Sequence, residues 1–532
     1  MTHLILRNIA IPASEEDAYA FVLAAKKLKS VGIVGGHDFH IHRRSVDARK
    51  RDNIRIVTSV KVSLDANVSE QQLSKMDAVR LQTVEPEIVI GKQTMSQRPV
   101  VVGFGPAGIF AALLLAENGY RPIVLERGDA IPERVAATDR FCKQQILDVD
   151  SNIQFGAGGA GTFSDGKLMT RVNDPLCDYV LKRLHRFGAP DEILHLAKPH
   201  IGTDILRTVV ENAEKAIVKA GGEIHYRTKM TGIRKVGDRV VAVETERDQI
   251  PCGALILAPG HSARDTYQYL IENAFEIAPK DFSVGVRIEH LQSDIDDALY
   301  GPRADITRLG HAEYQLSYRE GQRGVYSFCM CPGGVVAAAA SEEGGVVVNG
   351  MSYHARSEKN ANCALAVSVL RSDYGNDPLS AIEFQRQIER KAYVAGGKCY
   401  AAPMQTVGRF LDRSSDNRLG RIQPSYMNGY GKMTDLKTVL PLFVTDLLQT
   451  GVRRFERNIR GFSASDAVLT APETRTSAPV RILRNENGAA CGYCNLYPSG
   501  EGAGYAGGIT SAAVDGLRSA LHLMETYSPY CN

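Results

Sequence analysis

Six residues constrain this chain more than any others. Gly103-Phe104-Gly105-Pro106-Ala107-Gly108 follows the strand candidate Val100–Val102 and opens directly into an apolar helix candidate, Ile109–Asn118, which Gly119 stops. A G-x-G-x-x-G turn between strand and helix belongs to a βαβ dinucleotide-binding unit. Gly103 permits the tight turn, Gly105 lets the backbone approach a pyrophosphate, and Gly108 lets the helix pack close to the strand. The phosphates then meet the free N–H groups and the positive dipole end of the helix. With 49 glycines in the chain, the spacing alone is weak evidence. The second strand, Pro122–Leu125, supplies the missing context. It ends at Glu126, 23 residues after Gly103, where an acidic side chain accepts from ribose hydroxyls. Arg127 follows Glu126 and is grouped with it as cofactor-binding.

The rest of the chain arranges itself around this unit. A length of 532 residues exceeds one compact core, so two or three domains are expected. Residues 1–95 read as a small α+β, ferredoxin-like module. Leu4–Ile9 is a strand, Glu15–Lys29 a helix capped by Ser14, Asp38–Ser45 and Asn53–Leu64 two more strands, and Ser69–Met76 a second helix. The polar stretch Gly91–Arg98 is a linker candidate. Residues 96–275 continue the nucleotide-binding pattern. They hold an amphipathic helix over Asp204–Ala220, strands at Glu223–Tyr226 and Val240–Glu246, and the apolar strand Ala254–Leu257. Residues 276–484 are less regular and read as an inserted α+β substrate domain. It is strand-like at Ser283–Ile288 and Val346–Met351, and helical at Cys363–Val369 and Pro378–Ala392. Residues 485–532 return to the first domain. The fold class is therefore α/β, a Rossmann-type domain with an insertion and an N-terminal module.

Three further glycine segments bear on the cofactor. Gly156–Lys167 reads GAGGAGTFSDGK, where Gly158, Gly159, Gly161 and Thr162 allow close approach to a flat ring or phosphate. Leu255–Gly260 reads LILAPG and ends at Gly260. Leu496–Ile509 reads LYPSGEGAGYAGGI. These segments resemble the glutathione-reductase-like FAD superfamily. With IHRRSVDARK, VGVRIEH and FCMCPGG, the chain is similar to bacterial proteins known as uncharacterised FAD-dependent dehydrogenases. The resemblance implies FAD, held in part by Gly500 and Glu501 at the ribityl chain. It also implies that Gly507, Gly508 and Ile509 aim helix N–H groups at the flavin. The superfamily usually has Asp where Glu501 stands. No second G-x-G-x-x-G follows a strand, and Gly344-Gly345 precedes one. NAD(P)H is therefore expected only as a transient electron donor, if the substrate does not itself supply the hydride. The expected activity is FAD-dependent oxidation or reduction of a small organic molecule, with flavin monooxygenation as one alternative.

Outside the glycine segments, four groups carry candidate chemistry. Cys329-Met330-Cys331 is either a redox pair or two small buried residues in a strand. Cys491-Gly492-Tyr493-Cys494 has C-x-x-C spacing, but no partner motif completes a zinc site, and no metal is expected. Arg287 and Glu289 share one face of a strand, so Arg287 either clamps a carboxylate or pairs with Glu289 on a solvated face. Lys167 and Arg171 follow the glycine loop and suit anionic groups. No general base is assigned.

The function classes left aside follow from charge and hydropathy. With 63 basic and 60 acidic residues, the chain has no global pull toward polyanions. The run Arg43, Arg44, Arg49, Lys50, Arg51 and Arg55 allows an RNA-associated flavoprotein. Asp47 and Asp52 dilute it and no aromatic residues interleave it, so a solvated face or an interface with the FAD domain is preferred. No stretch approaches the ~18 apolar residues of a membrane span. Met1–Ala20 lacks the pattern of a signal peptide, so a cytoplasmic protein with reduced cysteines is expected.

Overall fold

The computed structural model describes residues 2–34, 38–81 and 84–530. Its centre is a parallel sheet with strands in the spatial order Leu496–Pro498, Leu255–Leu257, Val100–Val102, Ile123–Leu125 and Glu223–His225. The order reverses between Val100–Val102 and Leu255–Leu257, which opens a crevice at their carboxyl ends. Alternation along these short strands sorts their side chains to two faces. Val101, Val124 and Ile256 pack under the fingerprint helix Pro106–Glu117 and the C-terminal helix Ile509–Thr526. Val100, Val102, Leu125, Leu255 and Leu257 pack against a meander formed by Met230–Val236, Arg239–Thr245 and Gln249–Pro251. Both faces are covered, which is why these strands read as unbroken apolar runs.

Between Leu255–Leu257 and Leu496–Pro498 the chain makes one long excursion. It leaves through Ile277–Pro279 and returns through Val480–Ile482, and these two segments pair antiparallel. The excursion builds a seven-stranded sheet in the order Ser317–Glu320, Arg323–Cys331, Asn360–Val369, Phe282–Leu291, Val468–Glu473, Ala402–Thr406 and Gly431–Met433. Asn360–Val369 corrects the helical expectation at Cys363–Val369. This run of small apolar residues is inserted between Phe282–Leu291 and Arg323–Cys331 and pairs with both. Buried on both faces, it shows no alternation that would mark it as a strand.

The N-terminal segment forms an antiparallel sheet in the order Asp38–Asp47, Arg55–Leu64, Thr2–Pro12 and Ala78–Arg80, with helices Ala18–Lys29 and Glu70–Met76. Ile56, Thr58, Val60, Val62 and Leu64 all point inward, as their alternation requires. Ser69 and Gln72 form a capping box on the second helix. The first helix starts later than expected, after Asp17 rather than Ser14. The expected linker is tied down. Gln93–Thr94 pairs with Tyr527–Ser528, and the Gly91 N–H donates to the Met524 carbonyl at 2.7 Å. The basic run is partly consumed by contacts with the rest of the chain. Arg44 exchanges backbone hydrogen bonds with His195 and Ala197 and reaches the Arg308 carbonyl, while Arg51 donates to that of Ala298. Among the described residues, no helix is long and apolar enough to cross a membrane.

Candidate functional site

The crevice is lined by glycines of two kinds, distinguished by what a methyl group would meet at each. Gly103 has φ +97°, and a Cβ there would lie 2.1 Å from the Ala258 carbonyl oxygen. A Cβ on Gly108 would lie 1.9 Å from the Gly103 oxygen, and one on Gly516 2.1 Å from that of Ala107. These glycines let the two helices and the strand turn close on one another. Gly260, Gly507 and Gly508 are the opposite case, with no protein atom within 4 Å of an added Cβ. At Gly105 the nearest atom is the Gly159 Cα at 3.7 Å. Packing does not require glycine at these four positions, although the left-handed backbone of Gly260 at φ +78° and Gly508 at φ +114° favours it; the open space beside them leaves room for a ligand.

Two helix N-termini meet at this space. Gly105 is the N-cap of Pro106–Glu117, and Gly508 is the N-cap of Ile509–Thr526. A Cβ on Gly161 would touch Ile509 at 3.1 Å and Pro106 at 3.9 Å, so the glycine loop lies across both. Gly500 approaches Ala107, and Gly502 approaches Gly260. Gly507 spends its N–H on Ser511 Oγ at 3.1 Å, which leaves the helix opening to Gly508 and Ile509. Such an opening carries unpaired N–H donors and positive dipole ends. The donor set and the open glycines fit an extended, anionic dinucleotide such as FAD.

Glu126 does more than its spacing implied. It is 4% exposed, and its carboxylate accepts from the N–H groups of Phe104 at 2.8 Å, Gly128 at 2.9 Å and Gly156 at 2.9 Å. It therefore ties the fingerprint turn, its own turn and the glycine loop together. A carboxylate has about four acceptor sites, so one remains for a ribose hydroxyl. Arg134 went unnoticed in the sequence and holds the same loop. Fully buried, it donates to the carbonyls of Asn152 at 2.9 Å, Ile153 at 2.9 Å and Ala157 at 2.6 Å. Burial lowers its pKa to about 9. Only its position on the helix Ile131–Gln144, beside the loop, gives it this role. Asp515 was also missed; it accepts from the Gly500 N–H at 2.7 Å and pairs with Arg484.

Several expected site residues point elsewhere. The Arg127 guanidinium is committed to Asp150 and Asp265, both at 2.8 Å, and lies over the Phe155 ring. Thr162 is buried, and its hydroxyl donates back to the Ala157 carbonyl. Arg287 contradicts both readings offered for it. It is fully buried and pairs with Glu473 rather than Glu289, while also donating to Asn349 and Asn362. No solvated face exists there, and the fork that would clamp a substrate carboxylate is already filled. Glu289 instead accepts from Ser425 and Asn360, and burial raises its pKa. Lys167 pairs with Asp165. Despite its burial, Asp165 is held well below the usual carboxylate range by Lys167 and Arg356. Glu501 lies in the loop that crosses Gly260.

The two cysteine motifs separate. Cys491 and Cys494 precede the strand Leu496–Pro498, which places them at the amino end of the parallel sheet. The crevice is at the carboxyl ends, so a dithiol beside the flavin is not at C-x-x-C. Cys329 and Cys331 lie on the strand Arg323–Cys331, close to Arg287 and to Lys167 at the end of the glycine loop. Cys329 does not fit the ordinary strand expected for it, since its φ is +46°.

Residues 281–476 match the family model described as FAD-dependent protein, C-terminal domain-like. An uncharacterized protein of Clostridium beijerinckii (strain ATCC 51743 / NCIMB 8052) is 46% identical over 496 residues, covering 92% of each chain. The chain belongs to this family of FAD-dependent proteins. Its cofactor is FAD. Solved structures resemble it more distantly. The FAD complex of CtdE has a TM-score of 0.30 at 11% identity, covering 80% of this chain and 82% of that one. The amino acid oxidase NikD has a TM-score of 0.33 at 13% identity, covering 83% and 96%.

Proposed function

We propose that this chain is a cytoplasmic FAD-dependent oxidoreductase that moves an electron pair between FAD and a small organic substrate. In this reading residues 96–275 and 485–532 hold the cofactor, and 276–484 form the substrate-facing domain. One observation carries the reading: two helix N-termini open on one space, framed by glycines that packing does not explain. When bound, FAD supplies reversible two-electron chemistry. The chain's own part is to bind and to orient. Gly105, Ala107 and Gly108 present N–H donors to a pyrophosphate, while Gly103, whose N–H is spent on the Leu125 carbonyl, and Pro106, which has none, set the turn and open the helix. Glu126 fixes the turns and takes a ribose hydroxyl. Gly158, Gly159 and Gly161 are packed rather than open: they let the loop close on Thr162, Gly105 and Ile509, which holds it beside the fingerprint turn and the C-terminal helix. Gly508 and Ile509 offer donors where reduced flavin gathers negative charge. Gly500 and Glu501 serve the ribityl chain. NAD(P)H acts as a transient donor, since one fingerprint serves one dinucleotide.

The test is the visible absorption spectrum of the purified protein, before and after denaturation and filtration, followed by anaerobic titration with NADH and NADPH. The expected result is about one FAD released per chain and reduction of the bound flavin. A colourless protein that does not rebind FAD refutes the reading.

A further inference from the structure

The binding scheme above leaves two thiols unused. Along Asn360–Val369, Phe328 stands opposite Ala364 and Cys331 opposite Asn362, so the thiol-bearing strand carries one extra residue. In a regular strand, side chains two residues apart stand about 7 Å apart on one face. The bulge and the left-handed Cys329 break that spacing, and the Cys331 thiol turns back to donate to the Cys329 carbonyl at 3.4 Å. Bulges of this kind re-aim side chains next to active sites. The two sulfurs are not equivalent. Cys331 is fully buried, whereas Cys329 is partly exposed beside Phe328, a large apolar side chain that is 44% exposed.

The surroundings favour one thiolate in the pair. Arg287 Nη1 lies 4.0 Å from Cys331 Sγ and donates to the Cys329 carbonyl at 2.8 Å. Lys167 adds a second positive charge, against the negative charges of Asp165 and Glu473; Cys363 and the buried Tyr314 are further titratable neighbours. Hydrogen bonding from Cys331, then the charges of Arg287 and Lys167, lowers the Cys329 thiol, while Cys331 is raised. The loop that carries Lys167 also reaches the flavin crevice. Leu168, next to Lys167, accepts at 2.8 Å from Thr510 Oγ1 in the first turn of the helix that opens at Gly508.

We propose that Cys329 and Cys331 form a two-electron thiol centre for disulfide-class substrates, with Cys329 as attacking thiolate and Cys331 as resolving thiol. Cys329 attacks one sulfur of a low-molecular-weight disulfide, forms a mixed disulfide and expels the first thiolate. Cys331 gives that thiolate its proton and attacks Cys329 Sγ. The 329–331 bond closes and the second thiolate leaves, to be protonated by solvent. Two electrons from the thiol pair have then reduced the substrate disulfide to two thiols. Restoring the pair takes two electrons and one proton from reduced FAD, so this step rests on the oxidoreductase reading.

The first experiment needs no variant: iodoacetamide labelling of the FAD-loaded protein, with peptide mapping across pH 6–8. Cys329 is expected to react about tenfold faster than any other cysteine, with a rate that stays flat with pH. Diamide is expected to block labelling and yield a peptide crosslinked between 329 and 331. Cys329 reacting no faster than the rest, or no crosslink, overturns the proposal. In the second experiment, the bound FAD is photoreduced anaerobically and one equivalent of dithiobis(nitrobenzoate) is added. The wild type is expected to release two thionitrobenzoates per chain and reoxidise its FAD. Cys331→Ser is expected to release one and to keep its FAD reduced. Equal reoxidation in both overturns the relay. A colourless protein in which Cys329 still crosslinks supports the thiol centre and refutes the oxidoreductase reading.

Discussion

Gly105→Ala separates cofactor recognition from folding. The new methyl group would meet only the Gly159 Cα, at an ordinary van der Waals distance of 3.7 Å. The backbone is at φ −82°, where alanine carries no left-handed strain. The only folding cost is that of an N-cap, about 0.5–1 kcal/mol for alanine in place of glycine. The methyl nevertheless occupies the open side of the turn, where a pyrophosphate must approach the backbone. Displacing one charge-assisted hydrogen bond costs about 1.5–3 kcal/mol, or roughly 10–100-fold in affinity. The assay compares urea unfolding of the apoprotein with FAD rebinding followed by flavin fluorescence. Gly103→Ala is the contrasting variant. Its Cβ would lie 2.1 Å from a carbonyl oxygen at φ +97°, so it should lose about 2–6 kcal/mol of stability whether or not FAD is present. Wild-type FAD affinity in Gly105→Ala would refute the division of the glycines into packed and open.

Four further outcomes follow from the same contacts. Glu126→Gln leaves at least one of three buried N–H groups without an acceptor, so urea unfolding should show a loss of about 1–3 kcal/mol together with lowered FAD content; if neither changes, Glu126 is not the tie between the turns. Arg287→Met strands the buried Glu473 carboxylate and should cost about 3–5 kcal/mol, most of it recovered by adding Glu473→Leu; an equally unstable double variant contradicts this. Burial, then the charge of Arg356, lowers the His200 pKa from 6.5 to about 4, so folding favours its neutral form. That contribution is complete above pH 6.5 and is lost as pH falls toward 4, by at most about 3 kcal/mol, and His200→Gln should flatten the decline in chemical-denaturation stability over that window. Replacing Cys491 and Cys494 together by serine should leave FAD content and photoreduction unchanged, because both residues lie at the amino end of the sheet.

The parts of the fold that the sequence displayed are those whose cause is local. Gly103 to Gly108 must be glycine-rich because strand, turn and helix meet within six residues, and the amphipathic pattern of Thr203–Lys219 is written in its own side chains. Ile56 to Leu64 alternate because one face of their sheet is buried. Misreadings arose where the cause is distant. Asn360–Val369 became a central strand because two other strands flank it, and its Ala-rich run contains no trace of them. Gly91–Arg98 looks like a linker until Tyr527–Ser528, from the other end of the chain, pairs with it.

The same division decides how much of the site was legible. A dinucleotide is held mainly by backbone, so its requirements appear as glycines at fixed spacing within short segments. Side-chain chemistry carries no such spacing. The surroundings of Cys329 are assembled from the glycine loop through Lys167, from Phe282–Leu291 through Arg287, from Asn360–Val369 through Asn362 and from Val468–Glu473 through Glu473. Each of these residues, taken alone, reads as an ordinary strand or loop position. Arg287 illustrates the consequence. From sequence it is either a substrate clamp or half of a solvated ion pair, and only long-range pairing shows that its fork is filled by a carboxylate 186 residues away. A buried cation whose charge is so matched fixes its neighbours rather than binding substrate. The reacting atoms of the inserted segment must then be sought among groups that are not so matched, and at this bulge the partly exposed residue is Cys329.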